Sequence, residues 1–232
     1  NRKDLKTLFN KGPVTPDHVI RIKSSPLVIL NKDLSSDLKI VNLIDKYINN
    51  YKNYFKKYKD NIKKAKIADP LPRIIILQGL GFLSIGSNKK EMLVSYDIFN
   101  AMKNVIINSV SVSKFKSINK KEIFKMEYWP LERAKLNKKI SKKFDGNVAI
   151  ITGGAGIIGS AIAKKFINED IEVVLFDKDF SNLDVNILKS CHTIKCDLTN
   201  NAQINKSLDQ VLKLYGGVDI LIANSGAAFE GG

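Results

Sequence analysis

The stretch Asn147-Val-Ala-Ile-Ile-Thr-Gly-Gly-Ala-Gly-Ile-Ile-Gly159 decides the fold class of the second half of this chain. Its beginning is uncharged and apolar, which is typical of a strand buried on both faces of a sheet. After it, Ile162, Ala163 and Phe166 recur at the spacing of one helix face. The glycines allow a tight turn, close approach of the backbone to a pyrophosphate, and close packing of the helix on the strand. Because the helix N-terminus adds free N–H groups and a partial positive charge, the stretch predicts a site for a dinucleotide cofactor.

An acidic residue ends the next predicted strand, Glu172–Phe176. Asp177 can accept hydrogen bonds there from both hydroxyls of the adenosine ribose, and its charge would repel a 2′-phosphate. The sequence therefore favours NAD over NADP as the cofactor. Two alternatives stay open: Asp177 is a solvated turn residue, or the nearby Asp179 takes the same role.

Two more strands are predicted in the second half. His192–Lys195 precedes Cys196-Asp-Leu-Thr199, and Val218–Ala223 precedes Asn224-Ser-Gly226. Helices are predicted between the strands, so strands and helices alternate along this half. This alternation predicts an α/β fold with a parallel sheet and right-handed crossovers. Counted from the strand at 147–151, the strand order in the sheet is expected to be 3-2-1-4.

The first half is also predicted to be α/β, but its elements alternate less regularly. Strands are expected at 26–30 and 73–77, and helices at about 36–59, 90–112 and 120–137. The last helix is expected to be interrupted at Trp129-Pro130, where proline begins a fresh helical turn. This smaller α/β region is too incomplete to be an obvious self-contained domain.

Two features of the first half have competing interpretations. Tyr47, Tyr51, Tyr54 and Tyr58 recur at helical spacing among lysines, and a core-facing stripe is favoured over a base-stacking platform. The segment Gln78-Gly-Leu-Gly81 lacks the full glycine spacing of a phosphate loop, so a tight turn is favoured over a ligand loop.

These patterns divide the chain into three parts. Residues 1–137 form the first α/β region, residues 138–144 form a lysine-rich linker, and residues 145–232 form the nucleotide-binding domain.

Three segments of the second half resemble the short-chain dehydrogenase/reductase family. They are Phe144-Asp-Gly-Asn-Val-Ala-Ile-Ile-Thr-Gly-Gly154, the Cys-Asp-Leu-Thr segment, and Val218-Asp-Ile-Leu-Ile-Ala-Asn-Ser-Gly226. The resemblance implies the first half of a Rossmann-type doubly wound parallel sheet that binds NAD. It assigns cofactor binding to Gly153, Gly154, Gly156, Ile157, Ile158, Gly159, Asp177, Asp197, Leu198, Asn224, Ser225 and Gly226.

Two positions depart from the family pattern. Ser225 stands where the family's Asn-Ala-Gly motif has alanine, which is a mild departure. Ile157 stands where single-domain members usually have glycine, and the resulting spacing fits the epimerase branch that acts on nucleotide sugars. The Asn-Ser-Gly end of the last strand favours the dehydrogenase branch, so the epimerase remains the alternative.

The first half resembles the corresponding part of proteins that join a class II sugar aldolase to a short-chain dehydrogenase. The resemblance rests on Gly12-Pro-Val-Thr-Pro-Asp-His-Val-Ile-Arg21 and Met126-Glu-Tyr-Trp-Pro-Leu-Glu-Arg-Ala-Lys-Leu136. It implies a bifunctional aldolase/dehydrogenase of rhamnose catabolism, whose dehydrogenase oxidises lactaldehyde or a similar small hydroxyaldehyde. The chain would then be a fragment from the middle of such a protein.

The chemistry that such a protein needs is not found within these residues. Short-chain dehydrogenases use Tyr-x-x-x-Lys as the catalytic base, and none of the tyrosines here is followed by lysine at that spacing. No catalytic residue is therefore assigned, and we expect the chain alone to be inactive; a non-catalytic NAD-binding module is a further alternative. His18 and His192 are the only histidines and lie in different halves, so no metal site is predicted.

Composition narrows the possible partners. The formal charge of +15 is spread along the chain without a basic block, so nucleic acid is not expected as a partner. No apolar run is long enough to span a bilayer, and the two cysteines lack a metal-ligand pattern. We expect a cytoplasmic protein that acts on a small aldehyde or alcohol when intact, as a homo-oligomer without a membrane partner.

Overall fold

A computed structural model describes residues 2–62, 64–136 and 142–226. The chain divides into two compact units: unit 1 comprises 1–86 and 90–138, and unit 2 comprises 87–89 and 139–232. Most of the predicted linker, 138–144, lies outside the described residues.

Unit 1 contains a three-stranded sheet of β1 (Leu27–Ile29), β2 (Ile74–Leu77) and β3 (Gly81–Ser84). The first two strands pair in parallel, and the last two are antiparallel. The sequence prediction missed β3. Its four residues, Gly81–Ser84, are exposed or partly buried, and they do not form the apolar run that marks a buried strand. Gly79 has φ +82° within the turn that joins β2 to β3, and the predicted tight turn at 78–81 is confirmed.

The helices of unit 1 surround this sheet. The two long helices match the predicted ones, while the helices before β1 were not predicted. Ser36 caps the longest predicted helix by accepting the Lys39 N–H, and Pro130 begins a separate helix as its fixed φ favours. The helices are α1 (Leu5–Phe9), α2 (Val19–Ile22), α3 (Asp37–Tyr58), α4 (Lys89–Val112), α5 (Lys120–Tyr128) and α6 (Pro130–Ala134).

The tyrosine stripe of α3 lies in the core of unit 1, as predicted. Tyr51 is buried and packs with Phe124 and Tyr128 of α5, and Tyr54 and Tyr58 pack against the same group. This aromatic packing joins α3 to α5. The base-stacking alternative loses its support because the Tyr51 ring is covered on the inside of the unit.

A polar cluster is buried at the same place; it comprises Lys23, Tyr51, Glu127 and Tyr128. The Tyr51 hydroxyl lies 2.6 Å from Glu127 Oε1 and 2.7 Å from the Tyr128 hydroxyl. Lys23 Nζ donates to the Asp69 carbonyl and lies 3.6 Å from the centroid of the Tyr51 ring. Burial raises the pKa of Glu127 and lowers the pKa of Lys23 to about 8. We call these four residues the buried polar cluster.

Unit 2 is a parallel sheet of four strands. They are β4 (Val148–Thr152), β5 (Glu172–Asp177), β6 (His192–Lys195) and β7 (Ile220–Ile222). The observed order is β6-β5-β4-β7, with every neighbouring pair parallel. The predicted α/β fold with strand order 3-2-1-4 is therefore confirmed.

Helices cover both faces of this sheet, as in a doubly wound fold. The helices are α7 (Ile157–Asn168), α8 (Val185–Ser190) and α9 (Asn201–Tyr215). Successive residues of a strand point to opposite faces of the sheet, which explains the two helix layers. On one face Ile151 and Leu175 pack with α7 and α8. On the other face Ile150 and Val174 pack with α9. This arrangement leaves the carboxyl ends of the strands at one open edge.

Candidate functional site

The carboxyl edge of the sheet in unit 2 collects the residues that the sequence analysis singled out. Thr152 ends β4 and Asp177 ends β5, while Asp197 and Asn224 closely follow β6 and β7. Because the four strands are parallel, these ends lie at the same edge of the sheet. In the sheet β4 has β5 on one side and β7 on the other, so the direction in which successive strands are added reverses at β4. Ligands of such folds bind in the crevice where this reversal occurs.

The glycine loop between β4 and α7 is packed so tightly that side chains are excluded. A Cβ atom on Gly159 would lie 2.2 Å from the Gly153 carbonyl oxygen and 2.9 Å from Gly154 Cα. A Cβ atom on Gly154 would lie 2.7 Å from Leu175 Cβ. Gly153 has φ +62°, a backbone conformation that glycine adopts at no steric cost. The loop therefore brings the helix onto the strands at backbone distance.

The N-terminus of α7 opens from this loop toward solvent. Gly156 is the N-cap residue and provides no side-chain hydrogen bond to the first turn. The backbone N–H groups of that turn are consequently available to an anion, and the helix dipole favours negative charge there. A helix of this length with a glycine N-cap can hold a phosphate group.

Two exposed isoleucines flank the N-terminus of α7. The side chain of Ile157, which departs from the family pattern, is 91% exposed, and that of Ile158 is 67% exposed. Neither side chain is needed to pack the loop, because close contacts are made by the glycines on its inner side. The side chain of Ile157, where the sequence departs from the family pattern, therefore points away from the packed side of the glycine loop.

Asp177 reaches from the end of β5 to the glycine loop. Its Oδ2 accepts the Ala155 backbone N–H at 2.9 Å, and its Oδ1 accepts the Lys178 N–H at 2.7 Å. The carboxylate thus lies beside the glycine loop and is hydrogen-bonded to its backbone.

The competing residue, Asp179, is engaged elsewhere. Its carboxylate accepts hydrogen bonds from the hydroxyl and the backbone N–H of Ser181, and these bonds lower its pKa. Asp179 therefore stabilises its own turn, and no hydrogen bond links it to the glycine loop among the described residues. The geometry favours Asp177 for the role at the loop.

Asp197 is held by donors on two sides after β6. Its Oδ1 accepts the Thr199 hydroxyl at 2.7 Å and the Thr199 N–H at 2.9 Å, and it lies 3.1 Å from Lys178 Nζ. These interactions, with the Thr199 hydroxyl first, lower the pKa of Asp197 to about 2. Leu198 packs partly buried against the core under α9.

Thr152 organises the opposite side of the site, and the sequence analysis did not assign it a role. Its hydroxyl oxygen accepts the backbone N–H groups of Asn224 and Ser225, both at 3.0 Å. The Asn224 side chain returns bonds from Nδ2 to the carbonyls of Thr152 and Gly153, at 3.1 and 3.2 Å. The signal in the sequence was a hydroxyl residue at the last position of an otherwise apolar strand. A Cβ atom on Gly226, which follows this junction, would meet no atom of the described residues within 4 Å.

The described residues meet neither the requirements of a metal site nor those of a membrane-spanning helix. His18 shares a hydrogen bond with Thr15, so its ring supports a local turn. Within residues 2–62, 64–136 and 142–226, no three histidine, cysteine or acidic side chains group as metal ligands would. Across the same ranges, no helix combines the length and apolarity needed to cross a membrane.

Comparison with known families divides the chain between residues 136 and 147, which is where the boundary between unit 1 and unit 2 lies. The model described as "Aldolase class II, second domain" matches residues 1–136. The model described as "short chain dehydrogenase" matches residues 147–231. The glycine loop and all the polar residues of the carboxyl edge fall within the second match.

Individual relatives match either the whole chain or its second half. A Bacillus subtilis protein named "Uncharacterized oxidoreductase YuxG" is 28% identical over 98% of this chain and 35% of its own length. (+)-Borneol dehydrogenase 1 from Salvia officinalis is 34% identical over 38% of this chain and 35% of its own length. A crystal structure of NAD+-bound xylitol dehydrogenase is 28% identical over 37% of this chain and 35% of that chain, with a TM-score of 0.35. The chain spans about a third of the length of the curated relatives it matches.

Proposed function

This chain belongs to the family in which a class II aldolase second domain is joined to a short-chain dehydrogenase domain, and we propose that unit 2 binds NAD. The observation that carries the proposal is the cradle formed by the glycine loop, the N-terminus of α7 and the carboxylate of Asp177. Cβ atoms added to Gly154 and Gly159 would clash with Leu175 and with the loop backbone, so these glycines hold the N-terminus of α7 close to the loop and to β5, where a pyrophosphate can approach the backbone closely.

Each part of the carboxyl edge has a proposed task. The loop from Gly153 to Gly159 binds the pyrophosphate, and Asp177 binds the hydroxyls of the adenosine ribose. Asp197 and Leu198 border the adenine, and the segment from Asn224 to Gly226 borders the nicotinamide half. The nicotinamide ring supplies the chemistry when bound, because it exchanges a hydride with the substrate.

The preference for NAD over NADP follows from the charge of Asp177. A 2′-phosphate would come close to this carboxylate, whereas two hydroxyls can donate to it. Fluorescence titration of the chain with NADH and NADPH tests this preference. We expect NADH to bind at least about tenfold more tightly, which corresponds to about 1.4 kcal/mol. Equal or tighter binding of NADPH would contradict the role given to Asp177.

For the whole protein we propose an NAD-dependent oxidation of a small hydroxyaldehyde or alcohol, such as lactaldehyde in the catabolism of a deoxysugar. The support is that an aldolase domain precedes a dehydrogenase domain in the same chain, because aldol cleavage of a sugar releases a small aldehyde. The catalytic tyrosine and lysine are not assigned within these 232 residues, and their place in the whole protein stays a prediction.

The substrate proposal is tested with the protein expressed from its complete reading frame. Formation of NADH from NAD and lactaldehyde would support it. Inert lactaldehyde together with turnover of a UDP- or dTDP-linked sugar would instead favour the epimerase alternative, which the spacing at Ile157 suggests.

A further inference from the structure

The glycine loop is fastened to the end of β5 by two hydrogen bonds. Gly154 N–H donates to the Phe176 carbonyl at 3.3 Å, and Ala155 N–H donates to Asp177 Oδ2 at 2.9 Å. The second bond is the shorter one and has a charged acceptor, and charge-assisted hydrogen bonds are roughly twice as strong as neutral ones. The acid that is proposed to bind the ribose therefore also holds the backbone that is proposed to bind the pyrophosphate.

We infer that Asp177 is a positioning residue for the phosphate loop and that it couples the ribose and pyrophosphate parts of the site. The inference rests on the proposed function, because it concerns the same cofactor site. It adds a task to Asp177 that the ribose contact does not require: the carboxylate orders the loop before any cofactor is present.

The loop has particular need of such a restraint. It contains three glycines within four residues, and glycine loses more conformational freedom than any other residue when it is fixed. Gly156 N–H bonds back to the Gly153 carbonyl, so that bond lies within the loop and does not tie it to the sheet. If the Asp177 carboxylate is removed, one of the two hydrogen bonds between the loop and β5 is lost. The bond from Gly154 N–H to the Phe176 carbonyl remains.

Ribose binding and loop positioning are compatible in one carboxylate. Each carboxylate oxygen has two lone-pair sites, and each oxygen of Asp177 accepts one backbone N–H. One site on each oxygen remains for the two ribose hydroxyls. The Ala155 bond can therefore persist when the cofactor binds, and the ribose contact would reinforce the phosphate loop.

The first experiment separates loop positioning from simple electrostatics by using inorganic pyrophosphate as the probe. Asp177→Ala and Asp179→Ala each remove one negative charge near the same end of β5, but the Asp179 carboxylate bonds to Ser181 rather than to the loop. Charge alone would strengthen pyrophosphate binding in both variants. We expect Asp177→Ala to bind pyrophosphate about tenfold more weakly than Asp179→Ala, as the loss of a charge-assisted hydrogen bond implies. Equal affinities in the two variants, or tighter binding by Asp177→Ala, would overturn the inference.

The second experiment needs no ligand. Amide hydrogen exchange at Ala155 is measured in the ligand-free chain, with exchange in the buried strand β4 as the check that unit 2 remains folded. We expect Ala155 to exchange about tenfold faster in Asp177→Ala than in the unsubstituted chain. Asp177→Asn, whose amide oxygen can still accept the Ala155 N–H, should restore part of the protection.

The two proposals fail in different ways. If the unsubstituted chain does not bind NADH but Ala155 is protected only when Asp177 is present, the proposed function is wrong and the positioning role stands. If NADH binds and Ala155 exchanges equally with and without the Asp177 carboxylate, the positioning role is wrong and the cofactor assignment stands.

Discussion

Unit 1 and unit 2 place their polar side chains in opposite locations. In unit 1 a lysine, a glutamate and two tyrosines are buried together between α2, α3 and α5. In unit 2 the sheet interior is apolar, and the charged and hydroxyl groups gather at the open carboxyl edge. The proposed ligand site of unit 2 and the structural polar network of unit 1 therefore satisfy their polar groups in different ways. The polar groups of the proposed ligand site stay reachable from solvent, whereas the buried polar cluster bonds mainly within itself and leaves Glu127 Oε2 buried without a hydrogen-bond partner among the described residues.

The strongest test of the open edge is a change that closes the glycine cradle. In Gly159→Ala the new Cβ atom would meet the Gly153 carbonyl oxygen and Gly154 Cα, both of which are backbone. The loop must move, and overpacking of this kind costs about 1–3 kcal/mol. We expect the free energy of unfolding of unit 2 to fall by about this amount and NADH affinity to fall at least about tenfold. Chemical denaturation and NADH titration measure the two effects.

A second glycine in the same unit provides the matched control. A Cβ atom on Gly217 would meet no atom of the described residues within 4 Å, and the residue lies at the other end of β7 from the loop. Gly217→Ala should therefore leave both the stability and the NADH affinity close to those of the unsubstituted chain. If both alanine variants bind NADH equally well, the loop is not the close-packed cradle on which the proposed function depends.

The contrast between the units also explains what the sequence could predict. The four strands of unit 2, their order and the positions of the glycine loop and Asp177 follow from local patterns, because each element carries its own signal over a few residues. Thr152 was missed because its partners lie 72 and 73 positions further along the chain. A local pattern contains no information about such a pair.

In unit 1 long-range contacts limit prediction more severely. The tyrosine stripe on α3 predicted a core face, but its partner Glu127 lies 76 positions after Tyr51. Glu127 occurs in a helix with charged neighbours, where a solvated side chain is the ordinary expectation. It becomes a buried residue because α5 packs against both α2 and α3. The short strand β3 was missed for a related reason, since its pairing with β2 rather than its composition defines it.

The closed polar interior of unit 1 predicts a pH-dependent stability with a definite sign. Burial raises the pKa of Glu127 above its ordinary value of 4.5, so the folded unit keeps a proton that the unfolded chain has already released. The stability that this proton provides is fully present below pH 4.5 and is lost as the pH rises through the folded-state pKa. In Glu127→Gln the side chain does not titrate, so the variant should gain stability relative to the unsubstituted chain as the pH rises from 4.5 toward 7. At low pH the variant should be less stable by about 1 kcal/mol, because its hydrogen bonds differ from those of a carboxylic acid.

Trp129, the single tryptophan of the chain, follows the unfolding of unit 1 by fluorescence. Glu122→Gln is the matched control, because Glu122 lies on the same helix but is exposed and paired with Lys125 at 2.8 Å. This control should change the pH profile little. The measurements stay at or below pH 7, under the pKa of about 8 to which burial lowers Lys23, so that Lys23 remains mostly protonated throughout. Parallel pH profiles for the unsubstituted chain and Glu127→Gln would contradict a buried, proton-holding Glu127.

The smallest expected effect lies at the exposed edge of unit 2 and concerns which partner controls Asp197. The pKa of this carboxyl is about 2, first because the Thr199 hydroxyl bonds to it and then because of the Thr199 N–H and Lys178. Thr199→Val removes the hydroxyl but keeps the shape of the side chain and the backbone bond, whereas Lys178→Ala removes only an exposed ion pair. Solvent and salt screen that pair, since 63% of the Lys178 side chain is exposed. NMR titration of the Asp197 carboxyl carbon should therefore show a larger rise in pKa for Thr199→Val than for Lys178→Ala, and only the second effect should shrink at high salt.

The stabilisation from Asp197 is present above pH 3.8 and is lost as the pH falls toward about 2. Because Thr199→Val raises the folded-state pKa, the pH range over which this stabilisation is lost should become narrower from its lower end. A larger rise for Lys178→Ala would mean that the charge of Lys178, rather than the hydrogen bonds from Thr199, controls the pKa of Asp197 at this edge.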